Sequence, residues 1–281
     1  MPFRQQMLIK RVGDVAEFRE HPVGVRSRQS ADERDGCRPG MTQRFDLAAS
    51  LARGVEGRSG ACSFIQGFAA HWAGALETGD GWPEADLALA EERLGVRLPA
   101  ALREAYLLFG RRRDLISNHD TLLSPAELHV DDAKEALVFR HENQGAASWG
   151  ILLDSLQDDD PAVFIRSDLA DKTAERWDGW LERLSLCFVE IVLSESVQAD
   201  GESCDSLDPD DHSIELLEEN CVQLPFPPYP IGEEEHATRW FLGQDVLLRD
   251  DGMTVLARGR MPEDLERMRE LIPGDWLNDY R

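Results

Sequence analysis

Apolar residues recur at helical spacing over the stretch from 63 to 110. Phe64, Phe68 and Trp72 follow one another at steps of four and predict one buried helical face. The segment 81–110 then predicts two helices joined by a short link, because a proline begins each helix and a glycine ends it. Their apolar stripes are Leu87, Ala90 and Leu94 in the first helix and Leu102, Ala105, Tyr106 and Phe109 in the second.

Shorter apolar runs, separated by turn-forming residues, predict β-strands further along the chain. Three such runs lie close together, at 137–139, 148–153 and 162–165. The short turns between them, at 142–145 and 157–161, favour an antiparallel meander. Nearer the C-terminus, runs at 239–242, 246–249 and 253–258 predict further strands, and Asp251-Gly252 predicts a hairpin between the last two.

Three more helices are expected around these strands. Ser124, with Pro125 and Glu127 after it, has the residues of a helix N-terminus. A long helix that covers the sheet is expected to begin at Trp177, and a closing helix is expected to begin at Pro262. Helices gathered against a largely antiparallel sheet define the α+β class. The inward-facing residues would be Trp177, Trp180, Leu181, Leu184, Phe188, Ile191 and Val192 in the long helix, and Leu265, Met268 and Ile272 in the closing one.

Composition divides the chain into an extension and one domain. Residues 1–62 are rich in Arg, Gly, Ser and Asp, and they predict a disordered segment or an annotation that starts too early, with Met41 as the real start. Residues 63–281 predict a single domain. Within it, the acidic and proline-rich stretch 198–237, which contains PFPPYP at 225–230, predicts a long exposed loop.

Net charge limits the kind of partner. The chain has 30 Lys and Arg against 54 Asp and Glu, a formal net charge of −24, and the excess lies wholly after residue 62. Such a field repels nucleic-acid phosphates and anionic lipids and attracts cationic proteins. Direct nucleic-acid binding and membrane binding are therefore not expected, although acidity that only aids solubility is an alternative. No apolar stretch in the sequence is long enough to cross a bilayer.

Candidate catalytic chemistry is sparse. The five cysteines are scattered, which predicts free thiols in a reducing, cytoplasmic compartment and no zinc site. The sequence has no glycine-rich phosphate loop and no Gly-x-Ser-x-Gly elbow. His119-Asp120 is half of a metal-binding dyad or, as we prefer, an ordinary surface pair, and Asp158-Asp159-Asp160 is preferred as a solvated turn over a cation site. We therefore expect no catalytic residue, metal or cofactor, and a hydrolase with an acidic site is the least favoured interpretation.

One segment has a sequence that strand formation alone does not require. It is HENQGAASWGI, from His141 to Ile151. Together with the two-helix corner, this segment resembles the SUKH superfamily, the Smi/Knr-like proteins. The resemblance implies a single α+β domain without enzymatic activity. Bacterial members are mostly immunity proteins that neutralise toxins, many of them nucleases, and fungal members are regulators of cell-wall synthesis. The resembling residues are Leu94-Gly95, Leu98-Pro99, Tyr106, Phe109, Glu142-Asn143-Gln144-Gly145, Trp149-Gly150-Ile151, Pro161-Ala162-Val163-Phe164 and Trp177.

Charge and resemblance together lead to two functional hypotheses. The first is an immunity protein that neutralises a cognate basic toxin, such as a nuclease. The alternative is an intracellular regulatory or scaffold protein of the Smi/Knr type, with PFPPYP and the acidic residues near it as a docking strip. A buried Trp149 that supports its strand is as plausible as an exposed one. The candidate partner-binding residues are Glu142, Asn143, Gln144, Trp149, Asp158, Asp159, Asp160, Asp208, Asp210 and Asp211.

Overall fold

The structure, a computed structural model, describes residues 45–230 and 237–278. It has the α+β architecture expected from the sequence. The helices are α1 (Leu47–Gly54), α2 (Arg58–Trp72), α3 (Glu84–Leu94), α4 (Ala100–Phe109), α5 (Arg113–Ile116), α6 (Leu184–Val197), α7 (Asp211–Asn220) and α8 (Pro262–Leu271). The strands are β1 (Thr121–Leu122), β2 (His129–Val130), β3 (Ala136–His141), β4 (Ala147–Leu152), β5 (Val163–Ser167), β6 (Asp178–Leu181), β7 (Cys204–Asp208), β8 (Val222–Gln223), β9 (Arg239–Gly243), β10 (Val246–Asp250), β11 (Val255–Gly259) and β12 (Asp275–Trp276).

The strands form two antiparallel sheets. The first sheet has the order β1-β3-β4-β5-β6, and the short β2 also pairs with β3. Its central strands are the meander predicted from the three apolar runs. The second sheet has the order β12-β7-β11-β10-β9-β8. It includes the predicted hairpin of β10 and β11, where Gly252 adopts a φ of 84° in the turn.

Helix α6 occupies the centre of the molecule, and every one of its residues is buried. Phe188, near its middle, packs edge-on against Phe109 of α4 at 6.0 Å and lies 6.3 Å from Phe139 of β3. On another side, Arg249 of β10 reaches its residue Ser194. The helix therefore lies between the helical layer and both sheets. Its sequence is mainly apolar, as burial on every side favours, with a minority of polar residues.

The second sheet is buried on both faces because its strands alternate between two cores. On β9 and β10, Trp240 and Leu247 belong to the main core, whereas Phe241 and Leu248 face a second cluster. Helices α7 and α8 cover that second cluster, which contains the predicted inward residues Leu265 and Met268 of α8 and its C-cap residue Ile272. Period-two alternation thus divides one sheet between two apolar layers.

Several sequence predictions are confirmed. The two-helix corner is present as α3 and α4. Gly95 ends the first of these helices at a φ of 69°, and the predicted stripes are buried except for the partly exposed Leu94. Residues Phe64, Phe68 and Trp72 form the buried face of α2. Among the described residues, no helix is long and apolar enough to cross a membrane.

Two predicted helices are wrong in part. The long helix begins at Leu184 and not at Trp177, because Trp180 and Leu181 belong to β6 and pair with β5. Trp177, Trp180, Leu181 and Leu184 fall at helical spacing although the first three lie in or beside an extended strand. Around Ser124 the chain makes one turn only, although the Glu127 carboxylate accepts the expected hydrogen bond from the Ser124 amide at 2.9 Å.

The expected boundary at residue 62 is also wrong. Helix α1 begins at Leu47, and Asp46 caps it by accepting a hydrogen bond from the Ala49 amide at 2.9 Å. Leu47 and Leu51 are buried in the main core. These two leucines, four positions apart, were too short a run to be recognised within a polar segment. The rest of the predicted extension, residues 1–44, lies outside the described residues.

The acidic stretch 198–237 is not a long loop. It contains β7, the helix α7 and β8. Phe226 and Tyr229 of the PFPPYP segment are buried, so the aromatic residues of the expected docking strip belong to the core. In α7 only Ser213 and Leu217 are buried. Its mostly polar and charged sequence therefore has no wide apolar stripe that would predict a helix. Residues 231–236 of this stretch lie outside the described residues.

Candidate functional site

Strand pairing brings the His119-Asp120 dyad to the turn between β3 and β4. Strands β1 and β3 are antiparallel, with Thr121 opposite His141. One residue beyond this pair, Asp120 comes to lie beside Glu142. One residue further, His119 comes to lie beside Asn143. Two motifs that are about twenty residues apart in the sequence therefore form a single polar cluster.

Under this cluster lies a buried arginine. Arg140 is 1% exposed and reaches three carboxylates, those of Asp120 at 3.0 Å, Glu190 at 3.0 Å and Glu195 at 2.9 Å. Its guanidinium also lies 4.5 Å from the centre of the Trp149 ring. A bulge in β3 after Val138 changes the strand's register just before Arg140, and such bulges redirect side chains.

Glu195, near the end of α6, fixes the backbone that carries the dyad. Its Oε2 accepts hydrogen bonds from the amides of Asn118 and His119, each at 2.7 Å, and its Oε1 accepts one from the Asp120 amide at 3.2 Å. The Asn118 side chain also donates to the backbone oxygen of Glu195 at 2.7 Å. The segment before β1 is therefore held by the central helix as well as by its strand pairing.

Glu190 extends the buried network toward the second sheet. Besides Arg140, its carboxylate accepts a hydrogen bond from the Tyr229 hydroxyl at 3.0 Å and another from Ser194. Ser194 in turn accepts a hydrogen bond from Arg249 of β10 at 3.0 Å. Both sheets thus contact the same polar side of α6.

The electrostatics of this network are unbalanced. Burial lowers the pKa of Arg140, but the three surrounding carboxylates outweigh it and hold that pKa above its usual value. Burial raises the pKa of Asp120; Arg140 opposes this effect, and the carboxylates of Glu190 and Glu142 add to it. Burial likewise raises the pKa of Glu195, and Arg140 again opposes it. Three acids against one cation leave a buried surplus of negative charge.

At the surface of the cluster, three metal-ligating side chains converge. One donor atom from each of His119, Asp120 and Glu142 lies within 4.8 Å of the other two. The side-chain amide nitrogen of Asn143 is 3.1 Å from His119 Nδ1. The preferred interpretation of the dyad as a surface pair is therefore wrong for Asp120, which is 7% exposed and paired with Arg140.

The predicted residues of the 142–149 segment have different roles. Glu142 holds its own turn together, since its Oε2 accepts hydrogen bonds from the amides of Gln144 and Ala146 at 2.8 and 2.9 Å. Asn143 and Gln144 are exposed at the tip. Trp149, however, is 7% exposed and packs edge-on against Trp180 at 5.6 Å. Trp149 supports the core and is not a surface contact for a partner.

The predicted acidic residues 158–160 lie in the loop before β5 and are partly used within the fold. Asp160 accepts hydrogen bonds from the Ser185 amide at 2.7 Å and the Ser185 hydroxyl at 2.6 Å, in the first turn of α6. Asp159 is exposed and forms an ion pair with Arg58 at 3.2 Å. Asp158 is exposed and has no ion-pair partner among the described residues.

The predicted acidic residues 208–211 lie at the start of α7, next to the second sheet. Asp210 is the N-cap of α7 and accepts a hydrogen bond from the Ser213 amide at 2.7 Å, which lowers the pKa of Asp210. Asp208 and Asp211 are exposed beside it. The ten predicted residues therefore do not form one surface; only Glu142 and Asn143 join the His119 cluster.

Sequence reasoning missed Arg140, Glu190 and Glu195. The available signal was a charged residue within an otherwise apolar strand and two acids within an otherwise apolar helix, which indicate paired buried charges. Comparisons of the chain with protein-family models, with curated proteins and with solved structures found no match. A function therefore has to be argued from the residues of the chain itself.

Proposed function

We propose that this chain is a non-enzymatic immunity protein of the Smi/Knr-like type, which works in the cytoplasm and neutralises a cognate basic toxin by binding it. The observation that carries the proposal is an acidic outer face on α7. Asp211, Glu215, Glu218 and Glu219 are exposed there, and the helix contains no Lys or Arg. Its opposite side packs on the second core through Leu217.

Spacing places these acids on one side of the helix. Glu215 follows Asp211 by four residues, and Glu219 follows Glu215 by four, so their side chains lie one above the other. Asp208 adds a further exposed carboxylate just before the helix. Among the described residues, the one Lys or Arg that engages this face is Arg239 of β9, which pairs with Glu218. The face therefore presents a row of carboxylates of the kind that a cationic partner recognises.

The rest of the molecule strengthens this field. Many of the basic side chains in the described residues form ion pairs with acids of the same chain, including Arg58, Arg103, Arg112 and Arg269. With a net charge of −24, the surplus charge consists of carboxylates. Electrostatic steering of this kind speeds association by about ten- to a thousandfold, which suits an inhibitor that has to act before damage is done.

The cytoplasmic placement has its own support. Cys62, Cys187, Cys204 and Cys221 are free thiols, and Cys187 and Cys221 are buried. Free thiols are typical of a reducing compartment. For a nuclease toxin, the acidic row would occupy the cationic groove that binds the nucleic acid.

The test is co-expression with the product of the neighbouring gene. We expect that product to be toxic alone and harmless together with this chain. A neighbouring product that is harmless alone, or equally toxic with the chain present, excludes the immunity function. The binding face is tested by comparing two double variants. Glu215→Lys/Glu219→Lys changes the acidic face of α7. The control, Glu56→Lys/Glu92→Lys, changes the net charge by the same amount at residues outside α7.

The two variants distinguish a local contact from the summed field. We expect the association rate of the α7 variant with the toxin to fall by about tenfold or more, because the variant removes negative charges at the interface. The control variant should lose less, and its loss should disappear at high salt. Equal losses in the two variants would mean that the acidic face of α7 does not contact the toxin.

A second candidate function is an intracellular regulatory or scaffold protein of the Smi/Knr type. The observation that favours it is a row of exposed prolines, Pro225, Pro227 and Pro228, beside the short edge strand β8, whose Val222 is also exposed. Edge strands and proline-rich segments are common docking elements. A gene neighbourhood without a toxin, together with several partners recovered by a chain that keeps these prolines, would support this function.

A further inference from the structure

The cluster of His119, Asp120 and Glu142 combines the donor types that a transition-metal ion prefers. It offers one imidazole and two carboxylates, and its donor atoms lie within 4.8 Å of one another. His119 Nε2 is 4.0 Å from Asp120 Oδ1. Tetrahedral ligands of one Zn²⁺ ion at bond lengths of about 2.0 to 2.2 Å are themselves separated by roughly 3.3 to 3.6 Å. Small side-chain rotations therefore bring the three donors onto one ion.

Each carboxylate keeps an oxygen for such an ion. Asp120 uses Oδ2 for Arg140, while its Oδ1 faces His119 and accepts only a long hydrogen bond from the Asn143 amide at 3.3 Å. Glu142 uses Oε2 for the amides of its own turn. Its Oε1 accepts no hydrogen bond from the described residues. By contrast, Glu195 has both of its oxygens occupied.

The fold holds the donors in place without the ion. Glu195 fixes the backbone of residues 118–120, and the hydrogen bonds within the turn fix Glu142. The His119 side chain is partly exposed and is free to turn toward the two carboxylates. Asn143 lies beside them, and rotation of its side-chain amide presents an oxygen as a fourth ligand. Preorganised ligands lower the cost of binding.

The buried charge gives a second, independent reason for a cation at this point. Three carboxylates, those of Asp120, Glu190 and Glu195, surround the single guanidinium of Arg140. Glu142, next to them, has no ion-pair partner among the described residues. Buried carboxylates in excess are costly unless they are paired or coordinate a metal. A neutral imidazole beside these carboxylates offers a nitrogen lone pair, which is a donor that transition-metal ions prefer.

We infer that His119, Asp120 and Glu142 form a binding site for one divalent transition-metal ion of the zinc type, with Asn143 or water completing the coordination. Imidazole with carboxylates favours such an ion over Mg²⁺ or Ca²⁺, which prefer oxygen ligands alone. The ion joins the turn between β3 and β4 to the segment before β1. The site is distinct from the acidic face of α7, so the inference does not depend on the proposed toxin binding.

The test uses the purified full-length chain, stripped with a chelator and titrated with ZnCl₂ in competition with a chromophoric chelator. We expect one Zn²⁺ per chain. The variants His119→Ala and Glu142→Gln should each weaken binding by about tenfold to a hundredfold, since each removes a ligand. Glutamine at 142 still offers an oxygen to the turn amides, and circular dichroism should confirm that both variants fold.

The matched control is His212→Ala on α7. His212 also lies beside an acid, with its Nδ1 3.9 Å from Glu215, but the described residues add no third donor to this pair. We expect this variant to bind Zn²⁺ as tightly as the wild type. If the wild type takes up no stoichiometric Zn²⁺, or if His119→Ala binds as tightly as the wild type, the site does not exist. A loss in His212→Ala equal to that in His119→Ala would also overturn it.

Discussion

Arg140 shows how a single residue can organise a buried site. Its guanidinium is shared between a residue before β1 and two residues of α6, so it joins the first sheet to the central helix. The three carboxylates also repel one another, and the cation between them makes their burial tolerable. Replacing only one partner of such a group is far more costly than its net contribution suggests, because uncompensated charges stay buried.

We therefore expect Arg140→Met to lower the free energy of unfolding by about 3 to 5 kcal/mol at neutral pH. Methionine keeps much of the volume of the side chain but leaves three carboxylates without a cation. Urea unfolding followed by tryptophan fluorescence measures the change. The control is Arg176→Met, which breaks the exposed ion pair between Arg176 and Asp178 at 2.8 Å, and it should leave the stability nearly unchanged.

The loss of stability in Arg140→Met should depend on pH. Burial holds the pKa of Asp120 and of Glu195 above the usual carboxyl values. A carboxyl group whose folded pKa is raised favours the folded state at low pH and loses that contribution as the pH rises through the folded pKa. Without the cation both pKa values should rise further. The deficit of Arg140→Met should thus be smaller at pH 5 than at pH 8, and a deficit that grows in acid would contradict this account.

At the residue scale, packing and turn geometry explain part of the sequence of the segment 141–151. Gly145 adopts a φ of 78° in the turn, and a Cβ on Gly150 would lie 2.8 Å from the Trp177 ring. The glycines were recognisable from the sequence as turn and strand features. The contact of Gly150 with Trp177 was not, because it depends on how the chain after β5 returns across the first sheet.

At the scale of elements, α6 depends on a residue outside itself. Its N-cap residue, Arg183, makes no capping hydrogen bond with its side chain. Asp160 supplies the cap from the loop before β5 by accepting the Ser185 amide. The run of acids at 158–160 was expected to be a solvated turn, and one of its three members instead anchors the central helix.

This arrangement predicts different effects for neighbouring acids. Asp160→Ala should lower the free energy of unfolding by about 1 to 2 kcal/mol, because the first turn of α6 loses its cap. Asp158→Ala, which removes the same charge from the same loop, should leave the stability nearly unchanged. Thermal unfolding of the two variants beside the wild type makes the comparison. Equal effects would mean that the loss of negative charge, and not the loss of the cap, sets the stability.

Elements were predictable from the sequence where apolar spacing was long and punctuated, as in α3, α4 and the hairpin of β10 and β11. They were not predictable where they were short or strongly charged. Strand β1 has two residues, and its pairing with β3 is a tertiary contact without a local signal. Since that pairing creates the His119 cluster, local sequence patterns do not predict the candidate metal site as a whole.

At the scale of the whole molecule, α6 contacts both sheets, and most of the negative charge lies at the surface. Polar residues of α6 contact Arg140 of the first sheet and Arg249 and Arg258 of the second. Arg140 is buried there and Arg249 and Arg258 are partly buried, so these basic side chains are withdrawn from the surface. The surface is left with most of the chain's negative charge. The same distribution that would attract a cationic partner also makes the folded protein repel itself.

Self-repulsion predicts that added salt stabilises the fold. Folding brings the surplus carboxylates closer together than in the extended chain, and at about 0.1 M salt the screening length falls to roughly 10 Å, which is shorter than most distances between surface charges. We expect the urea midpoint to rise as NaCl is added from low concentration, and choline chloride at the same ionic strength should act alike. The Glu215→Lys/Glu219→Lys variant, with less surplus charge, should show a shallower rise. A midpoint that falls with salt would mean that screening of the ion pairs outweighs relief of the repulsion.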